Sequence, residues 1–138
     1  MVQLGLVVAQ FNKDSPITQE MAEQARNAAA ERDADIVATV DVPGSYDTPL
    51  AADRLARRDD VDAVAAIGAI VEGDTDHDRV IADAAAQGLT DVSLDRDTPV
   101  ALGITGPGMS QDEAAARVDY GATAVHSAID MAEEFDSL

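Results

Sequence analysis

At 138 residues without cysteine, the chain is the size of a single domain, residues 1–138, that can close its own hydrophobic core; disulfides, thiolate metal sites and thiol nucleophiles are excluded. A net charge of -18, with Lys13 as the one lysine, excludes the clustered cations that nucleic-acid phosphates require. The carboxylates are dispersed along a chain of normal apolar content, so the expectation is a folded protein whose surface self-repulsion is screened by abundant salt, as in a halophile.

The amino terminus carries no charged-then-apolar leader pattern, and no apolar run approaches the roughly 20 residues of a membrane-spanning helix. A soluble, cytoplasmic protein is expected.

In chain order, a first apolar run at 4–9 reads as a strand, and Ser15-Pro16 as a helix start with a capping residue before a proline. A second strand at 36–42 is followed by a second helix start of the same kind, Thr48-Pro49. The third run, 61–67, contains Val64-Ala65-Ala66-Ile67, a continuously apolar stretch suited to a strand covered on both faces. After Gly73-Asp74-Thr75 a helix is expected to about Gln87, with His77 one turn inside it. A fourth strand at 100–104 leads into the glycine-dense 103–108, read as a functional loop. Ser110 and Glu113 then form a capping box for the last helix. There Val118, Ala122, Val125, Ile129 and Ala132 make one apolar face about 100° wide. This βαβα rhythm predicts a three-layer α/β/α sandwich around a four-stranded parallel sheet.

The unusual residues fall after the strands. Phe11-Asn12, Pro43-Gly44-Ser45-Tyr46-Asp47, the segment from Gly73 to His77 and the glycine-dense segment all belong to one edge of such a sheet, where ligands bind in open α/β folds. Phe11 suits either stacking on a planar heterocycle or anchoring a loop on the core. Tyr46 and Asp47 belong either to a turn whose amides face a ligand or to an ordinary turn. Gly73-Asp74-Thr75 opens a helix as a phosphate-binding turn would, although Glu72, Asp74, Asp76 and Asp78 around it call for an arginine to balance an anion. Those alternating acids do not form a calcium loop, because Arg79 and Ala85 occupy its glycine and bidentate-acid positions. Imidazoles titrate near neutrality, which makes His77 the candidate proton carrier at that edge, whereas His126 shares a polar helix face with Asp119, Thr123 and Asp130 and reads as solvated. Arg117, placed in the first half of the last helix, suits either a phosphate clamp or a surface ion pair.

Taken in order, Phe11-Asn12, the segment from Val42 to Pro49, Ile67-Gly68-Ala69-Ile70-Val71-Glu72-Gly73-Asp74-Thr75-Asp76-His77 and Pro99-Val100-Ala101-Leu102-Gly103-Ile104 resemble the 6,7-dimethyl-8-ribityllumazine synthases. The resemblance spans nearly the whole chain, and Gly106-Pro107-Gly108-Met109 with Arg117-Val118-Asp119-Tyr120-Gly121 is similar to the archaeal branch. It implies a flavodoxin-like strand order and a role in riboflavin biosynthesis. The implied reaction joins 5-amino-6-ribitylaminopyrimidinedione to 3,4-dihydroxy-2-butanone 4-phosphate, releasing phosphate and water, with no metal or organic cofactor.

By the same resemblance Phe11 stacks on the pyrimidine, Asn12 and Asp47 bind ribityl hydroxyls, and Ser45 and Tyr46 backbone groups hold the ring edge. Ala69, Ile70 and Val71 complete the substrate pocket, Gly73, Asp74 and Thr75 hold the phosphate, and His77 moves protons. Leu102 and Arg117 complete a neighbour's pocket in a homopentamer, with decamers or 60-subunit icosahedral shells as larger forms. Nucleic acid and membrane are not expected partners. Two departures stand out: Glu72 replaces the arginine that many bacterial relatives carry before the glycine, and their lysine-bearing segment near the last helix is shortened to Val118-Asp119-Tyr120.

Among rivals, the archaeal riboflavin synthases share the implied fold but diverge around the Gly-x-Thr-x-His turn, which this chain keeps. A receiver module needs acids after the first strand, where Ala9-Gln10-Phe11-Asn12 stands, and neither a P-loop nor a dinucleotide turn is present. A shell protein without chemistry would have no use for Phe11, Thr75, His77 and Arg117 together.

Overall fold

Alternate residues of the strands feed two separate cores, one on each face of a single sheet. The computed structural model describes residues 1–10, 16–73 and 75–138. Its elements are β1 (Gln3–Ala9), α1 (Ile17–Glu31), β2 (Asp35–Val42), a 3-10 turn (Ser45–Asp47), α2 (Thr48–Ala56), β3 (Ala63–Val71), α3 (His77–Arg96), β4 (Val100–Met109), α4 (Gln111–Ala115) and α5 (Tyr120–Asp136). The strands pair in parallel in the order β2-β1-β3-β4.

Successive side chains of a strand point to opposite faces. Leu4, Leu6 and Val8 of β1 and Ala63, Ala65 and Ile67 of β3 accordingly pack under α1 and α5. Val7 and Ala9 of β1 and Val64 and Ala66 of β3 pack under α2 and α3. That is the three-layer sandwich the rhythm predicts. Alanine dominates the inner strand β3 and the facing helices, so the layers approach closely and bulky residues are few. On one side Gly121 at the start of α5 lies so near α1 that an added Cβ would stand 2.1 Å from the Met21 carbonyl oxygen. On the other, Asp53 of α2 accepts hydrogen bonds from Arg96 of α3 and also pairs with Arg57. The Arg96 hydrogen bond foremost holds the Asp53 carboxyl below the usual carboxylate range. The linkage is therefore present above that range and fades as pH falls through the lowered value.

Several boundaries differ from the sequence expectation. The glycine-dense segment is not a loop: β4 continues through it to Met109, with Gly106, Pro107 and Gly108 bulging opposite Ile70 between the Ala69–Thr105 and Val71–Met109 pairings. Helix α3 runs nine residues beyond Gln87 to Arg96, because Gly88 is a contact and not a stop; an added Cβ there would stand 2.7 Å from Pro49 of α2. His77 is its first residue and not one turn inside. The capping box at Ser110 opens only the short α4, and Arg117 lies in the turn before α5, outside both helices.

The helix starts shift as well. Pro16 occupies the capping position of α1 itself, while Ser15 lies outside the described residues. At α2, Thr48 is helical and its hydroxyl donates to the Ser45 carbonyl at 2.8 Å, so it does not cap amides. His126 is half-buried and not simply solvated: Arg32 reaches its Nδ1 at 3.2 Å while also pairing with Asp130 and Glu133. Among the described residues no helix is long and apolar enough to cross a membrane.

Candidate active site

Parallel strands end on the same side, so the turns that follow β1, β2 and β3 meet. Between them lies a cavity of about 260 Å³, walled by residues from Ala9-Gln10, Pro43-Gly44-Ser45, Ala69-Ile70-Val71 and the first turn of α3. Its surface is mainly apolar, and the polar side chains among its lining residues are Gln10, Ser45, Thr75, His77 and Asp78.

Ser45 and Thr75 are positioned locally. Ser45 is buried in the 3-10 turn, close over β3, where an added Cβ at Gly68 would stand 3.0 Å from its hydroxyl. The turn is closed by Asp47, whose carboxylate accepts the Gly44 amide at 3.1 Å. At the other wall the Thr75 hydroxyl accepts the His77 amide at 3.2 Å and so ties the phosphate-type turn to the start of α3. Gly73, Thr75 and His77 stand on the cavity wall at the start of α3, and a helix amino terminus favours an anion. No arginine or lysine is among the described residues that line it.

The expected site residues divide into three groups. Ser45, Ala69, Ile70, Val71, Gly73, Thr75 and His77 come together on the cavity wall. Phe11, Asn12 and Asp74 lie outside the described residues. Tyr46, Asp47, Leu102 and Arg117 do not line the cavity of their own chain: Tyr46 and Asp47 follow Ser45 in the 3-10 turn, and Leu102 and Arg117 line grooves along the β4 edge.

Leu102 is 54% exposed on that edge strand. Arg117 lines a separate groove with Thr105, Pro107 and Tyr120, and its guanidinium contacts Glu113 at 3.7 Å and the Met109 sulfur at 3.5 Å. The Ser110 amide and hydroxyl, followed by Arg117, hold the Glu113 carboxyl below its usual range.

Sequence reasoning missed Ala9, Gln10, Asp78 and Ile81 as wall residues. Gln10 directly follows β1. Asp78 and Ile81 follow once α3 starts at His77, because residues one, three and four apart on the first turn of a helix can share a wall. The misplaced helix start hid them.

The sequence profile described as 6,7-dimethyl-8-ribityllumazine synthase matches residues 1–136. A 6,7-dimethyl-8-ribityllumazine synthase of Halorubrum lacusprofundi is 68% identical over 136 residues, 99% of this chain and 100% of the relative. The enzyme of that name from Halobacterium salinarum is 63% identical, over 97% of this chain and 99% of its own length. One from Methanococcus maripaludis is 46% identical, over 100% of this chain and 99% of its own. With its parallel sheet, its strand-end cavity and this likeness along the full chain, the protein belongs to the 6,7-dimethyl-8-ribityllumazine synthase family, transferases of riboflavin biosynthesis.

Proposed function

We propose that the strand-end cavity is one half of the site that joins 5-amino-6-ribitylaminopyrimidinedione to 3,4-dihydroxy-2-butanone 4-phosphate, and that a neighbouring copy supplies the other half. The observation that carries this reading is the split of the expected residues between the cavity and the β4 edge. An anion at the Gly73–Thr75 end needs a cation that the described wall lacks, and Arg117 lines a separate groove along the edge strand β4, where it can serve a neighbour.

In this scheme the pyrimidine lies against the apolar wall of Ala69, Ile70 and Val71, with Ser45 and Tyr46 backbone groups at the ring edge. Phe11 stacks on the ring, and Asn12 and Asp47 take the ribityl hydroxyls. Gly73, Asp74 and Thr75 hold the phosphate. The amine adds to the ketone with loss of one water, phosphate departs, and ring closure onto the remaining carbonyl, with loss of a second water, gives the lumazine. Each stage moves a proton, for which His77 on the wall is the candidate carrier.

Alignment of an amine and a ketone accounts for most of such a rate enhancement. We therefore expect His77→Ala to lower kcat only about a hundredfold, the low end of acid-base contributions, with both KM values little changed. Release of inorganic phosphate under saturating substrates measures this. A loss beyond about a thousandfold would make the imidazole, and not positioning, the main device.

A shared site requires a homo-oligomer, a pentamer or a larger closed form built from pentamers. Light scattering is expected to return a multiple of the 14.4 kDa chain, and a folded, active particle of that single-chain mass would overturn the shared-site reading.

The acidic surface carries a separate expectation. With 27 acids against nine basic residues, self-repulsion is screened over about 3 Å in molar salt but reaches about 10 Å at 0.1 M. Circular dichroism is expected to show cooperative thermal unfolding in molar salt and its loss on dilution to low salt. Equal cooperativity in both would rule out a salt-requiring fold. Cytoplasmic residence belongs to the same reading, as the place where the soluble precursors of a vitamin are condensed.

A further inference from the structure

We propose that Asp78 is a positioning residue of the substrate site: it anchors the β4 bulge to the first turn of α3, and the site uses its acceptor oxygen and not its charge. Asp78 is the one acid among the buried polar residues of the described chain, only 9% exposed, and it lines the cavity. Its Oδ2 accepts the Gly108 amide at 3.1 Å across 30 residues of sequence.

The bond falls where the sheet ladder is interrupted. Three residues of β4, Gly106, Pro107 and Gly108, pass opposite the single residue Ile70, and both glycines have left-handed backbone, with φ of 101° and 76°. A bulge leaves amides without a strand partner. Regular pairing resumes only where the Glu72 amide donates to the Met109 carbonyl at 2.9 Å. Asp78 thus supplies the acceptor that the ladder omits at Gly108.

Both sides of the bulge matter. Ile70 beneath it is a cavity wall, and Gly106 and Pro107 also wall the groove that holds Arg117. Asp78 sits beside His77 at the start of α3, directly after the turn that carries Thr75, so its bond sets the spacing between the phosphate end and the β4 edge. A negative charge beside an anion site is unhelpful in itself, and the helix start only partly offsets it. An amide oxygen would accept the same N–H without that cost. The inference rests on the reading of Gly73–Thr75 as the phosphate end.

The test compares D78A, D78N and T75A in molar salt by steady-state phosphate release, varying each substrate in turn. Hydrogen exchange at the Gly108 amide is followed in parallel. D78A is expected to raise KM for the phosphorylated substrate about tenfold and to expose the Gly108 amide to exchange, with KM for the pyrimidine unchanged. D78N, which retains the acceptor, is expected to keep Gly108 protected and to leave KM for the phosphorylated substrate equal or lower. The inference is overturned if D78N is as impaired as D78A, or if D78A matches the parent in both readouts. T75A locates a failure: if it leaves KM for the phosphorylated substrate unchanged, the phosphate end is misassigned, and Gly108 exchange in the two Asp78 variants still decides whether the anchor exists. Should D78A not fold, D78N alone decides, since a raised KM or an unprotected Gly108 in it contradicts the proposal.

Discussion

Gly121→Ala is expected to lower the unfolding midpoint by about 10 °C, from a cost of about 3 kcal/mol of overpacking at a few degrees per kcal/mol for a domain of this size. The new Cβ would stand 2.1 Å from the Met21 carbonyl oxygen and 2.8 Å from its carbon, which are main-chain atoms of α1 that no rotamer change can move. Relief requires α1 and α5 to separate. These two helices share the core cluster containing Leu6, Met21, Val125 and Ile129, so separation loosens the whole layer on that face of the sheet. Alanine's better helix propensity returns at most about 1 kcal/mol, too little to cancel the clash. Thermal unfolding in molar salt, at fixed protein concentration, measures the shift. Gly73→Ala is the matching control for stability, since a Cβ there meets nothing within 4 Å. A Gly121→Ala midpoint no lower than that of the control would mean that the helices have room to spare.

Arg117→Ala is expected to raise KM for the phosphorylated substrate by about ten- to a hundredfold, the effect of removing a charge-assisted contact of about 1.5–3 kcal/mol. Its stability should barely move, because the Arg117–Glu113 pair is 45% and 52% exposed on its two sides and pairs of that kind contribute about 0–1 kcal/mol. The assignment to a neighbour's site has a sharper test. T75A and R117A each damage one flank of the chain, so in mixed rings a site that joins an intact Thr75 flank to an intact Arg117 flank is restored. Equal mixing after reversible dissociation would restore about a quarter of the sites. Recovery of activity on mixing is the expected result. Two variants that stay impaired together place Thr75 and Arg117 in the same flank, or leave one of them outside the site.

The residues that reported the fold most clearly were those whose role is local or periodic. In β1, Leu4, Leu6 and Val8 alternate with Val7 and Ala9, and the two sets do enter opposite cores. The turns after the first three strands could be assigned to one edge from parallel connectivity alone, and Ser45, Gly73, Thr75 and His77 meet there. The Ser110–Glu113 box formed with both of its hydrogen bonds, since a capping box involves only residues three apart.

What escaped was set by contacts distant in sequence. Gly88, Gly103 and Gly106 look alike in a linear reading, where glycine suggests a break. In space each is a close approach: Gly88 to Pro49, Gly103 to Ala124 and Gly106 to the Ile70 carbonyl. For that reason α3 runs on past Gln87 and β4 runs through what resembled a loop. Asp78 was one of several acids in an acidic turn until the bulge of β4 brought Gly108 to it. Composition, strand alternation and ordered motifs, which depend on short-range pattern and net charge, therefore determined the fold class, the edge of the sheet that carries the site and the family. Only the tertiary structure decided which glycines are contacts, where α3 begins, and that Asp78 reaches Gly108 of the β4 bulge, because those follow from how the layers pack and not from any local spacing.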